Sequence, residues 1–132
     1  ASFERATAEA LLQGVADALP GADLLALGGS PFVSWARERG LRVLEEGFAD
    51  RGYRPDGSLV PRGEPGALVD DPDEAASRAV RLAREGRVAT ADGDVALAVD
   101  TLCLHGDTPG AAARARAVRA ALEAAGVLLV AV

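Results

Sequence analysis

The sequence predicts an α/β fold with a parallel sheet and helical crossovers, and three observations carry that expectation. Short apolar runs closed by turn formers alternate with longer stretches of helical period. The runs are brief, as at Leu24–Leu27, and read as buried strands. Polar segments without any period then follow several of these strands, where a rigid scaffold usually carries its chemistry.

The elements follow in order. Phe3, Ala6, Ala10, Leu11, Val15, Ala18 and Leu19 recur at helical spacing, and Pro20-Gly21 stops that helix. Leu24–Leu27 is a strand closed by Gly28-Gly29. Ser30-Pro31 opens a second helix, with Ser30 able to cap and proline tolerated at the first position. Its apolar face is Phe32, Val33, Trp35 and Ala36, and Gly40 ends it; Leu41–Leu44 is the next strand. After a long loop, Asp70-Asp71-Pro72 begins a third helix, with Asp73 and Glu74 where the helix dipole favours anions. Ala75, Ala76, Ala79, Val80, Leu82 and Ala83 form its buried face up to Gly86. Arg87–Thr90 and Val95–Val99 flank Asp92-Gly93, which predicts a small β-hairpin. Thr101–Leu104 is a strand that leads into His105-Gly106-Asp107. Thr108-Pro109 starts the last helix, which runs to about Ala125, and Val127–Val132 is a final strand. At 132 residues, one domain is expected.

Composition narrows the function classes. Lysine, asparagine, isoleucine and methionine are absent, a bias that looks genomic rather than functional. The net charge is −6 and the arginines are scattered among acids, which argues against nucleic-acid binding. No apolar run is long enough for a membrane helix. A single cysteine, Cys103, cannot form an internal disulfide and fits a cytoplasmic location. Its place in an apolar run reads as a small buried hydrophobe.

Two polar segments stand out. The first runs from Glu45 to Arg62 and packs acids, arginines, the only tyrosine and several turn formers into one loop. The second, Cys103-Leu104-His105-Gly106-Asp107-Thr108-Pro109-Gly110, holds the only histidine. Together they resemble the LamB/YcsF family, the A subunit of bacterial 5-oxoprolinase. Glu46 to Arg62 resembles its E-x-FADR-x-Y-x-x-DG-x-LVPR block, and Leu104 to Gly110 its LHGDTPG block. The match continues at Leu27–Ser30, Pro65–Leu68 and Glu85–Val88, and departs at Gly63-Glu64, where the family usually shows a small polar residue and glutamine.

The resemblance implies a partial TIM-like (β/α) barrel. Family members are roughly twice as long, and their N-terminal half carries D-L-N-x-D-x-G-E and H-x-G-A-x-Y motifs that do not occur here. The chain is therefore expected to be the C-terminal half of such a barrel, with unpaired strand edges that favour a complementary N-terminal half or a homo-oligomer. The resemblance also implies ATP-dependent opening of 5-oxo-L-proline to L-glutamate, with partner subunits B and C. Two rival readings stand beside it: a ligand-binding or subunit-docking module without catalysis, and a metal-dependent deacetylase-like hydrolase.

Barrels of this type place their site at the C-terminal ends of the strands. Gly28-Gly29-Ser30, the Glu45–Arg62 segment and His105-Gly106-Asp107 all fall there on this reading. Glu46 and Asp50 are candidate general bases, since opening a lactam with water needs a base and a proton donor for the leaving nitrogen. The alternatives are solvated carboxylates or an ion pair with Arg51. His105 and Asp107 form a second candidate group, as an acid/base pair or as ligands of a divalent metal. Asp107 could instead cap the last helix. Arg51 and Arg62 could clamp a carboxylate through the guanidinium fork, and Tyr53 could hydrogen-bond substrate or pack beneath the loop. Gly28-Gly29-Ser30 could bind an anion at a helix N-terminus, but no ATP-binding motif is visible.

Overall fold

The computed structural model describes residues 2–131. Its elements are α1 (Arg5–Ala18), β1 (Leu24–Leu27), α2 (Pro31–Glu38), β2 (Val43–Phe48), α3 (Pro72–Glu85), β3 (Arg87–Thr90), β4 (Gly93–Ala96), β5 (Thr101–Cys103) and α4 (Ala111–Ala124). The strands β1, β2 and β5 form a parallel sheet in the order β1-β2-β5, while β3 and β4 pair as a separate antiparallel hairpin. Leu24–Leu27 run beside Val43–Glu46, and Glu46–Phe48 run beside Thr101–Cys103. The expected α/β architecture of parallel strands, helical crossovers and one hairpin is the one observed, an arc of a TIM-like barrel.

The helices cover one face of this arc. Val43 and Ala26 pack with Ala8 and Leu12 of α1 and with Phe32, Val33 and Ala36 of α2. Ala49 packs with Ala75, Ala76 and Ala79 of α3 and with Val118 and Leu122 of α4, and Leu102 and Leu104 lie against that cluster. Gly47 is where the connection between β4 and β5 presses on the sheet. A Cβ there would lie 2.7 Å from Val99 Cγ1, so only glycine fits. Successive side chains of a strand alternate between faces, so Leu44, Glu46 and Phe48 of β2 and Thr101 and Cys103 of β5 point to the opposite face. None of the described helices covers that face, and Leu25 on it is 53% exposed. Tyr53 and Leu59 of the long loop cover part of it, against Leu27 and Phe48.

Local chemistry explains the boundaries. Asp71 caps α3 by accepting from the N–H groups of Asp73 and Glu74 at 3.0 and 2.8 Å, and Gly86 ends that helix in the left-handed conformation, φ 59°. Four expectations need correction. The second strand starts at Val43 and runs through both glutamates to Phe48, because β1 and β5 supply ladder partners on either side. Glu45 tolerates this position because Arg37 at 2.9 Å and the Gly29 N–H at 2.8 Å neutralise its carboxylate. The last helix starts at Ala111, with Gly110 as its N-cap at φ 80°, so neither Thr108-Pro109 nor Asp107 caps it. Residues 127–131 form no strand, although Leu128 and Val130 are 85% and 72% exposed; Val132 lies outside the described residues. Ser30 precedes α2 as expected but makes no cap bond, and its buried hydroxyl has no partner among the described residues.

Candidate active site at the carboxyl ends of the parallel strands

The two residues that follow β2 and β5 meet directly. Ala49 continues β2 into the helix-side core and Asp50 turns back under the second loop, where it is 4% exposed. His105 stands two residues beyond β5, level with Asp50 in the parallel register. Its backbone N–H donates to Asp50 Oδ2 at 2.6 Å, and its ring Nδ1 lies 3.0 Å from Oδ1 and 3.1 Å from Oδ2. An ionised carboxylate only accepts, so Nδ1 carries the proton and Nε2 is left as the free basic nitrogen. Phe48 stacks on the imidazole with ring centroids 5.6 Å apart at 18°. The ring is therefore fixed in tautomer by Asp50 and in plane by Phe48. The partner of His105 is Asp50 rather than Asp107, and Asp50 does not pair with Arg51.

Glu46 belongs to a different layer. It lies inside β2, two residues before the strand ends, and pairs in register with Thr101. His105 is four residues further along, an offset of about 13 Å at ~3.3 Å per residue. Glu46 and His105 thus share a face and an end of the sheet but do not reach one common atom. The Glu46 carboxylate lies near the Cys103 thiol. Burial pushes that thiol up to about 11, and the negative charges of Glu46 and Asp50 add to the effect. Cys103 is thus a half-buried neutral thiol at physiological pH.

The first polar segment is a closed loop whose base is built from its own arginine. Arg51 is buried, and its guanidinium donates to the carbonyls of Ala67 at 2.9 Å and Val60 at 2.7 Å. Gly52 donates to Ala67 O and accepts from Val60 N–H. Arg78 of α3 holds the Arg51 carbonyl at 3.0 Å. Arg51 therefore shapes the loop and has no fork free for a substrate. Tyr53 is also internal: its hydroxyl accepts the Phe48 N–H at 2.8 Å, and burial pushes the phenol up to about 12. Arg62 is different. It is exposed on the rim and reaches Asp107 of the second loop at 3.3 Å. Asp107 is exposed as well, so this pair can exchange partners readily.

The glycine-rich turn before α2 does not fit a phosphate. The Gly29 N–H is taken by Glu45, and the Phe32 N–H by the carbonyl of Ser2. ATP therefore has no cradle there, and no step is assigned to it on these residues. Among the described residues, no group of three or more histidine, cysteine or acidic side chains is arranged to hold a metal ion. A hollow of about 520 Å³ lies away from the dyad, between β5, α4 and Val127–Val130, and is mainly apolar.

Sequence reasoning missed the residues that act through the backbone. Asp100 accepts the Glu45 N–H at 2.9 Å and fixes the start of β5 against β2. Arg114 is buried at 2% exposure and grips the second loop. Its signal was present in the sequence: it stands on the Val118–Leu122 stripe of α4 at helical spacing, where an apolar residue is the norm.

These features define a barrel-type α/β protein with a carboxylate-oriented histidine at the carboxyl ends of its strands. The LamB/YcsF family profile matches residues 1–132, and the chain belongs to that family. The 5-oxoprolinase A subunit of Streptomyces griseus is 54% identical over 121 residues, covering 91% of this chain and 48% of that protein. Its counterpart from Thermus thermophilus is 49% identical over 125 residues, covering 94% and 50%. The crystal structure of a lactam utilization protein, also from Thermus thermophilus, superposes with a TM-score of 0.87 at 45% identity, over 99% of this chain and 52% of that one. The chain spans about half the length of the curated relatives it matches.

Proposed function

We propose that this chain is the C-terminal half of a 5-oxoprolinase A subunit, bearing an acid–base group that opens the lactam ring of 5-oxo-L-proline to give L-glutamate. The carrying observation is the Asp50–His105 pair, whose ring has one proton committed to a carboxylate and one basic nitrogen free. Water adds to the lactam carbonyl, the carbon–nitrogen bond breaks, and the amine leaves with a proton. Nε2 of His105 takes the proton of the attacking water and returns one to the leaving nitrogen, the double duty a histidine performs in acyl transfer. Asp50 holds the tautomer and steadies the imidazolium formed in between. Arg62, once released from Asp107, supplies a fork for the substrate carboxylate. Glu46, deeper on the same face, lines the floor of the site below the water that His105 activates. ATP and the B and C partner subunits belong to this reading through the family. ATP is assigned to none of these side chains, and the expected location is the cytoplasm.

The experiment is turnover of 5-oxoproline by the intact, partner-bound enzyme carrying Asp50→Asn or His105→Ala. Each should lower kcat by about 10²-fold or more, the usual worth of a positioned acid or base. Arg62→Ala should mainly raise KM. Wild-type kcat in both dyad variants would refute the assignment. The 132-residue chain alone should release no glutamate above a no-protein control.

A further inference from the structure

The geometry points to Arg114 as the positioning residue of the His105 loop, an inference that rests on His105 being the acid–base group. Its side chain rises from α4 into the turn between β5 and α4 and is almost wholly buried. One terminal nitrogen donates to the Pro109 carbonyl at 3.0 Å and approaches the Asp70 carbonyl at 3.5 Å; the other donates to the Thr108 hydroxyl. The loop is therefore gripped at two places: at His105 by Asp50, and three and four residues later by Arg114. The same guanidinium reaches the approach to α3, so it ties the loop to the helix layer.

The energetics favour a positioning role over a stabilising one. The nearest carboxylate among the described residues, Asp70, is 3.8 Å away and 76% exposed, and the Arg114 Nε has no partner among them. A buried charge so weakly compensated contributes little net stability, and an apolar residue of similar length often replaces it without loss. What such a residue does supply is one fixed backbone path through Thr108 and Pro109, and hence one position for the His105 N–H and ring above Asp50. Gly110 fits the same arrangement. It stands at φ 80°, and a Cβ there would touch the Arg114 guanidinium at 3.5 Å.

The test uses the single histidine of the 132-residue chain as its own reporter. With histidine labelled in its ring nitrogens, the wild-type chain at a pH where the ring is neutral should show one tautomer, protonated at Nδ1, with slow exchange of that proton. Arg114→Met should mix the tautomers and speed the exchange by about tenfold or more, the equivalent of losing one charge-assisted hydrogen bond, with little change in melting midpoint. Thr108→Val, which removes one acceptor and keeps the arginine, should move both readings the same way by less. Arg114→Lys should restore part of the wild-type signal. In the intact partner-bound enzyme Arg114→Met should lower kcat and leave KM in place. Wild-type tautomer and exchange in both Arg114→Met and Thr108→Val would overturn the inference. So would unfolding of Arg114→Met combined with an unchanged Thr108→Val. The spectroscopic readings decide the matter even if the lactam reaction proves to be the wrong one.

Discussion

Asp50 shows how a residue's chemistry depends on the neighbour that only the fold supplies. In the sequence its obvious partner is Arg51, one residue away. In the structure the strand direction turns Asp50 toward His105, 55 residues on, while Arg51 turns to loop carbonyls. The type and location of the site residues were legible, because acids and a histidine after strands stand out. Their pairing was not, since it depends on register and on which face each residue takes. Tyr53 makes the same point, as its hydroxyl serves the Phe48 amide. Tyr53→Phe should cost about 1–3 kcal/mol by leaving that amide unpaired, measurable by denaturant unfolding. The alkaline behaviour follows from Tyr53 and Cys103 together. Burial raises the phenol from 10.0 to about 12 and the thiol from 9.0 to about 11. The folded chain then holds protons that the unfolded chain releases, so this contribution is intact below about pH 9 and is lost as pH climbs through 11 and 12. A pH series of melts should show that decline, and Tyr53→Phe should flatten it.

Among the elements, the helices were the most legible and the strands the least. Apolar spacing and punctuation such as Pro20-Gly21 and Gly86 bracket α1 and α3 to within about two residues. The second strand was misplaced because Glu45 and Glu46 look like loop residues until Arg37 and the Gly29 N–H neutralise the first and the β5 ladder pairs the second with Thr101. The long loop after β2 carries no period, yet it is a rigid element. A Cβ on Gly52 would sit 1.9 Å from the Gly66 carbonyl oxygen, a backbone atom that cannot step aside. Gly52→Ala should therefore break the closed base held by Arg51, Ala67 and Val60. Limited proteolysis should then cut between residues 54 and 66, where the wild-type chain resists. Resistance equal to wild type would show that the base tolerates opening.

For the whole molecule, the uncovered face and the two outer strands dominate. In the described structure β1 and β5 each pair on one side only, and Leu25, Leu128 and Val130 are exposed beyond half their area. Such edges and apolar surface favour association. Sedimentation of this chain should show concentration-dependent self-association in the micromolar range, and a stable monomer with a cooperative melt would rule that out. The final strand expected at Val127–Val132 belongs to the same scale. Its sequence has strand character, but a strand needs a hydrogen-bonding neighbour, and residues 127–131 pair with none.

The spacing along the chain of the two parallel pairings also sets an order of events. Leu24 finds Val43 across 19 residues, whereas Asp50 finds His105 across 55. Closing the longer span costs about 1 kcal/mol more in chain entropy. The α1-β1-α2-β2 portion should therefore organise first, with β5 and its histidine arriving after α3 and the hairpin have formed. Pulsed hydrogen exchange during refolding should protect the Leu24 and Gly28 amides, which donate to β2, before the His105 amide. A chain emerging from the ribosome would then be structured long before Asp50 and His105 meet, with that pair joined only in the closing step of folding.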